Sequence, residues 1–131
     1  MSHAVGTFEV AMKPETLSDV AAASGLGRMS MRKVFQGQFE AVSVGEFLSA
    51  MGSEKGSAGY VAMETVTGTL DGMAGSFVLQ HSGTMTRGEP TLSVTVVADS
   101  GTDGLVGLRG SMKIDIIDRV HHYDFHYSLN N

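Results

Sequence analysis

Apolar and polar side chains alternate with a period of two along most of this chain. Between Thr7 and Lys13, Phe8, Val10 and Met12 fall on one face and Thr7, Glu9 and Lys13 on the other, which predicts a half-buried strand. Pro14-Glu15-Thr16 ends it. Thr16–Leu26 is Ala-rich and bounded by Gly25 and Gly27. It predicts a surface excursion with one or two helical turns, because short isolated helices are marginal in water. Arg28–Ala41 reads as one long strand bent at Gly37, with Met29 and Met31 on one face and Ser30 and Arg32 on the other. Val42–Met51 and Tyr60–Val66 are two more strands, joined by a polar turn over Gly52–Ser57.

Thr67–Leu70 and Ser76–Thr86 then form a hairpin around Asp71-Gly72, a dipeptide suited to the left-handed conformations of a tight turn. Arg87-Gly88-Glu89-Pro90 breaks the pattern. Leu92–Ala98 alternates again, Asp99–Gly110 is a Gly-rich loop, and Met112–Ile117 and His121–Leu129 pair around Asp118-Arg119. Helical periodicity is nowhere sustained. About eight sequential strands with short connections predict an all-β fold, a closed antiparallel meander barrel forming a single domain over residues 1–131. An eight-strand barrel is either filled by side chains or holds one small ligand.

The alternation assigns an inward set: Phe8, Val10, Met12, Met29, Met31, Phe77, Leu79, Met85, Leu92, Val94, Val96, Met112, Ile114, Ile116, Tyr123, Phe125, Tyr127 and Leu129. Two strands resist assignment. Val44–Met51 and Tyr60–Val66 are largely apolar on both faces, as in strands covered on both sides. The outer cover would be the Ala-rich segment or a second subunit, so a homodimer or other homo-oligomer is expected. If the faces bearing Glu46 and Glu64 turn inward, both carboxylates enter the barrel with Tyr60, and His81 joins them from the Phe77-Leu79-Met85 face.

Composition narrows the function. The 131 residues include no Cys, which removes disulfides, thiolate nucleophiles and thiolate metal sites and suits a reducing compartment. Met1–Val5 shows neither a basic nor an apolar signal region, so a cytoplasmic location is expected. No apolar run approaches the length of a membrane helix. With a net charge of -5 and 9 scattered Lys and Arg, nothing forms a stripe to track phosphates, and neither nucleic acid nor a membrane is expected as partner. Seventeen Gly suit turns and barrel bends, and nine Met with no Trp suit an adaptable interior.

The segments Gly45–Ala50 (GEFLSA), Tyr60–Gly72 (YVAMETVTGTLDG), Gly75–Thr84 (GSFVLQHSGT) and Gly104–Gly110 (GLVGLRG) resemble a family of small, mostly bacterial proteins that carries a domain-of-unknown-function label. The resemblance spans about Thr7 to Leu129. It implies a closed eight-strand meander similar to the allene oxide cyclase barrel. It implies no activity, and no catalytic motif of that plant enzyme is present.

Two constellations carry chemistry. Glu46, Glu64, Tyr60 and His81 would form a polar cluster in an apolar barrel, where burial shifts pKa values toward neutrality and permits proton transfer. Glu64 and His81 are the catalytic candidates, as base and as acid or orienting donor. Glu46, Tyr60, Tyr123 and Tyr127 are the ligand-binding candidates. The competing reading places the Glu residues on the outer wall or pairs them structurally with Arg109 or Arg32. The second constellation, His122, Asp124 and His126, shares one strand face; adjacent members could chelate a metal, but the outer two stand roughly 13 Å apart at strand rise, too far for one ion. It reads as the solvated side of an amphipathic strand, and no metal or other cofactor is expected. The leading function is binding of a small apolar molecule in the barrel, with acid–base isomerisation or cyclisation as its extension. The alternative is a non-catalytic structural or protein-interaction module with a filled barrel.

Overall fold

A computed structural model describes residues 2–129. Eight strands follow one another: β1 (Ser2–Pro14), β2 (Gly27–Gly37), β3 (Phe39–Met51), β4 (Ala58–Leu70), β5 (Met73–Thr86), β6 (Glu89–Val96), β7 (Leu108–Ile117) and β8 (Val120–Leu129). Each pairs antiparallel with the next, and β8 returns to β1, closing the barrel in sequence order. Among the described residues every strand thus has a neighbour on both sides. The Ala-rich segment contributes one five-residue helix, α1 (Asp19–Ala23), whose N-cap Ser18 accepts from the Ala21 amide.

The hairpins follow local chemistry. Asp71 and Gly72 take φ 49 and 81°, the paired left-handed conformations of a type I′ turn. Two strand boundaries differ from the expectation. Arg28–Ala41 is not one strand: Gly37 at φ 113° turns the chain, and β3 begins at Phe39. Thr67–Leu70 is not a separate strand but the end of β4. The β6–β7 connection is the looser seam, with a single register pair, Thr95 with Ser111. Residues 97–107 lie along β5 there instead, where Thr102 N–H donates to the Ser76 carbonyl at 2.8 Å and Val97 N–H to the Val78 carbonyl at 2.9 Å.

The barrel interior has three layers. At the end where β1 starts and β8 finishes, Phe35, Phe39, Phe77, Phe125, Leu70, Leu105 and Leu108 are almost wholly buried and fill the lumen. Phe77 and Phe125 stack at 5.8 Å between centroids. The middle layer is polar: Lys33, Ser43, Glu64 and His81 are buried. The opposite end is open. Met12, Met85, Leu92 and Ile116, expected in the core, are 42–66% exposed because they form the rim of that open mouth rather than its filling.

Outside, the register places Val34, Val42, Val44, Leu48, Val61 and Met63 together on β2, β3 and β4, all exposed. The segment before β2 does not cover them: α1 buries no residue, and its Val20 is 85% exposed.

Candidate functional site

The middle layer is built around Glu64. Directly opposed strand residues share a face, so Gly45, the partner of Glu64 on β3, also faces inward. Ser43 lies two residues along on the same face and is itself the partner of Lys33 on β2. Both β3 residues are small. A Cβ on Gly45 would stand 2.9 Å from the Glu64 Cα, so the close approach of β4 requires glycine there. With only Gly45 and Ser43 between them, Lys33 reaches across β3 from β2 and places its Nζ 3.1 Å from Glu64 Oε1. Ser43 Oγ donates to Glu64 Oε2. From the other side, His81 Nε2 approaches Glu64 Oε1 at 2.7 Å.

Glu64 is therefore enclosed and bonded at both oxygens. Burial pushes its pKa up most strongly of any single influence. The His81 hydrogen bond, the Lys33 charge and the Ser43 hydroxyl together outweigh it, and the carboxyl titrates below its ordinary value. An ionised carboxylate only accepts, so Nε2 of His81 carries the donated hydrogen, and in the neutral imidazole Nδ1 keeps a free lone pair. Lys33 Nζ also lies over the Phe8 ring, 4.8 Å from its centroid, a favourable cation–π placement.

Above this layer opens a cavity of about 320 Å³, within the range of small-molecule pockets. Its walls are mostly apolar, including Phe8, Val10, Met31, Phe47 and Ile114, and its polar groups are Lys33, Tyr60, His81 and His121. Glu64 does not line it; it lies behind His81 and Lys33. The Tyr60 ring packs on Phe47 at 5.6 Å and over Gly83, its partner on β5, where a Cβ would come within 2.3 Å of the ring. Burial, then the Glu64 charge, raises the Tyr60 pKa. Among the described residues the Tyr60 hydroxyl has no hydrogen-bond partner.

Glu64, His81 and Tyr60 are thus brought together inside the barrel. Glu46 is not. It is the register partner of Met63 on the outer face, and it forms a bidentate pair with Arg28 at 2.8 and 2.7 Å. Its hydrogen bond to Arg28 lowers its pKa. The one-residue alternation on β3 decides this: with Gly45 and Phe47 inside, Glu46 must be outside. It borders a larger groove of about 940 Å³ on the barrel exterior, which holds no buried polar cluster.

Tyr123 and Tyr127 also lie away from the cavity. Both are buried in the filled end. The Tyr123 hydroxyl accepts from Phe39 N–H at 3.1 Å and faces the Gln36 carbonyl at 2.8 Å, so it clamps the β2–β3 turn. Tyr127 packs against Phe125 at 5.4 Å.

Sequence reasoning missed Lys33 and Ser43. Lys33 was legible, since it continues the Met29-Met31 face toward Phe35, opposite its solvent-facing neighbour Arg32. Ser43 offered no signal beyond its place between Ala41 and Gly45.

Residues 4–127 match a family model described as "Protein of unknown function (DUF3224)". A crystal structure of a protein of unknown function from that family, from Shewanella oneidensis MR-1, is 46% identical and superposes with a TM-score of 0.92 over 100% of this chain and 99% of that one. No curated protein matches the chain. Among the described residues no helix is long and apolar enough to cross a membrane.

Proposed function

The chain belongs to the DUF3224 family, and from the layered interior of its barrel we propose that it binds a small, mostly apolar molecule bearing one hydrogen-bonding group. The observation that carries this reading is the polar floor of an otherwise apolar, one-ended cavity. A buried Lys–Glu–His–Ser cluster costs desolvation, and a barrel serving only as scaffold could be filled there as it is below. The apolar body of the ligand would occupy the Phe8-Met31-Ile114 walls. Its polar group would meet His81, Lys33 or the unpartnered Tyr60 hydroxyl.

The same floor suits acid–base isomerisation or cyclisation. In that extension His81 is the base, through Nδ1. Glu64 is the positioning residue that holds the ring and stabilises its charged form, and Tyr60 is the proton donor. This reverses the roles expected from sequence, because Glu64 is walled off from the cavity. The likeness to the allene oxide cyclase barrel belongs to this proposal: a meander barrel open at one end gives a flexible apolar substrate a shape to fold against.

Titration with an apolar fluorescent probe tests the binding reading. One saturable site is expected. Met31→Trp, which fills the cavity, should abolish it, and His81→Ala should weaken a probe bearing a carbonyl or carboxylate about tenfold, the worth of one buried hydrogen bond. Binding unaffected by Met31→Trp would overturn it.

The exposed outer row on β2, β3 and β4 supports a second subunit as its cover. We propose a homodimer that pairs these faces about a two-fold axis, the commonest closed assembly.

A further inference from the structure

The seam between β1 and β8, which closes the barrel, carries a side-chain cluster separate from the cavity. His3 on β1 is the direct register partner of His126 on β8, and Asp124 lies two residues along β8 on the same outward face. His3 Nδ1 is 3.2 Å from Asp124 Oδ1, and His126 Nε2 is 3.3 Å from Asp124 Oδ2. One donor atom from each residue lies within 4.8 Å of the other two. The two imidazole centroids are 3.8 Å apart.

Three features set this cluster apart from an ordinary solvated ion pair. Its donors are two imidazoles and one carboxylate, a set that suits first-row transition dications and not magnesium or calcium, which prefer oxygen. Its spacing is close to that of a tetrahedral zinc, whose 2.0–2.1 Å bonds hold ligand atoms roughly 3.3 Å apart: the two imidazoles lie 3.2 and 3.3 Å from different oxygens of Asp124, and with one donor atom from each residue inside 4.8 Å a small side-chain rotation closes the set around an ion. Finally, His126 Nε2 is shut off from solvent, and its contact with Asp124 Oδ2 at 3.3 Å is too poorly aligned for a good hydrogen bond. Placed so beside a carboxylate, the nitrogen is positioned to share an ion with it.

We propose that His3, Asp124 and His126 bind one divalent transition ion, zinc foremost, which ties β1 to β8 where the barrel closes. Three protein ligands leave a fourth position for water. Because His3 and Asp124 are 121 residues apart in the chain, only the closed barrel presents the set, so the ion binds the folded state and stabilises it by mass action. His122 is not a ligand: it pairs with Thr7 further along the seam. His3 lies just ahead of the residues that match the family model, so the site is assigned to this chain and not to the family.

Calorimetric titration of the full chain with zinc alone, with imidazole resonances followed by NMR, tests the assignment. One saturable site is expected, with the His3 and His126 resonances shifting and His122 unmoved, and with the melting temperature raised. His3→Ala changes an exposed side chain and keeps the fold; it should weaken zinc binding by about tenfold or more and remove the thermal shift, as should Asp124→Asn. His122→Ala should change neither. Absence of saturable binding, or binding that His3→Ala leaves unchanged, overturns the site.

Discussion

Glu64 and His81 meet on a diagonal. Glu64 is opposite Leu79 and His81 opposite Ala62, yet Oε1 and Nε2 are 2.7 Å apart. A diagonal pair is far enough between backbones for both side chains to extend toward the barrel axis before they touch. The hydrogen bond therefore lies in the lumen, where Lys33 can join it from β2.

Glu64→Gln should destabilise the barrel by about 3–5 kcal/mol, because it leaves Lys33 buried without its counter-charge. Lys33→Met added to Glu64→Gln should recover much of the loss, since an apolar chain of similar length then replaces an unpaired charge. Denaturant unfolding of the two single variants and the double variant checks this. Additive losses would show that the ion pair is not coupled.

Stability should depend on acid through the same carboxyl. Its folded pKa is depressed, so the stabilisation is fully present above the ordinary carboxylate value of about 4. It is lost as pH falls through the lower, folded value. Melting temperature measured from pH 7 to pH 2 should fall more steeply at the acid end in the native protein than in Glu64→Gln. Parallel curves would contradict the depressed pKa.

Gly83→Ala should expel the Tyr60 ring from its seat, since the added Cβ overlaps the ring. The ring sits at the open mouth, so the cost in stability should be about 1 kcal/mol, the common size for a single substitution. Probe affinity should fall further than stability does. Equal probe binding in Gly83→Ala would remove Tyr60 from the ligand site.

Val44→Glu or Met63→Glu places a charge in the exposed apolar row without touching the lumen. Light scattering should show a dimeric mass for the native chain and a monomeric mass for either variant, with thermal stability of the isolated barrel little changed. A monomeric native chain at micromolar concentration would contradict the proposed pairing of this face.

Tyr123→Phe should cost about 1–3 kcal/mol, because the Phe39 amide loses a buried partner, and should leave probe binding unchanged. A selective loss of binding would return Tyr123 to the ligand site from which its position in the filled end separates it.

Period-two alternation was enough to determine an all-β chain of about eight sequential strands, because each strand carries its own record of which side meets water. The Asp71-Gly72 turn was equally local: two residues that tolerate positive φ stand where the chain must reverse. On β5 and β8 the alternation also placed His81 inside and His122, Asp124 and His126 outside. Phase was ambiguous where both faces are apolar. On β3 and β4 nothing local states whether Glu46 or Phe47 points inward, and the register with β2 decided it. Tertiary structure alone decided the pairings made across the barrel. Lys33 meets Glu64 only because two small residues on β3 lie between them. Asp124 and His126 gain His3 only because the last strand returns to the first. A strand's pattern encodes burial against its own neighbours in sequence, whereas a site assembled from three strands depends on closure, which no single segment records.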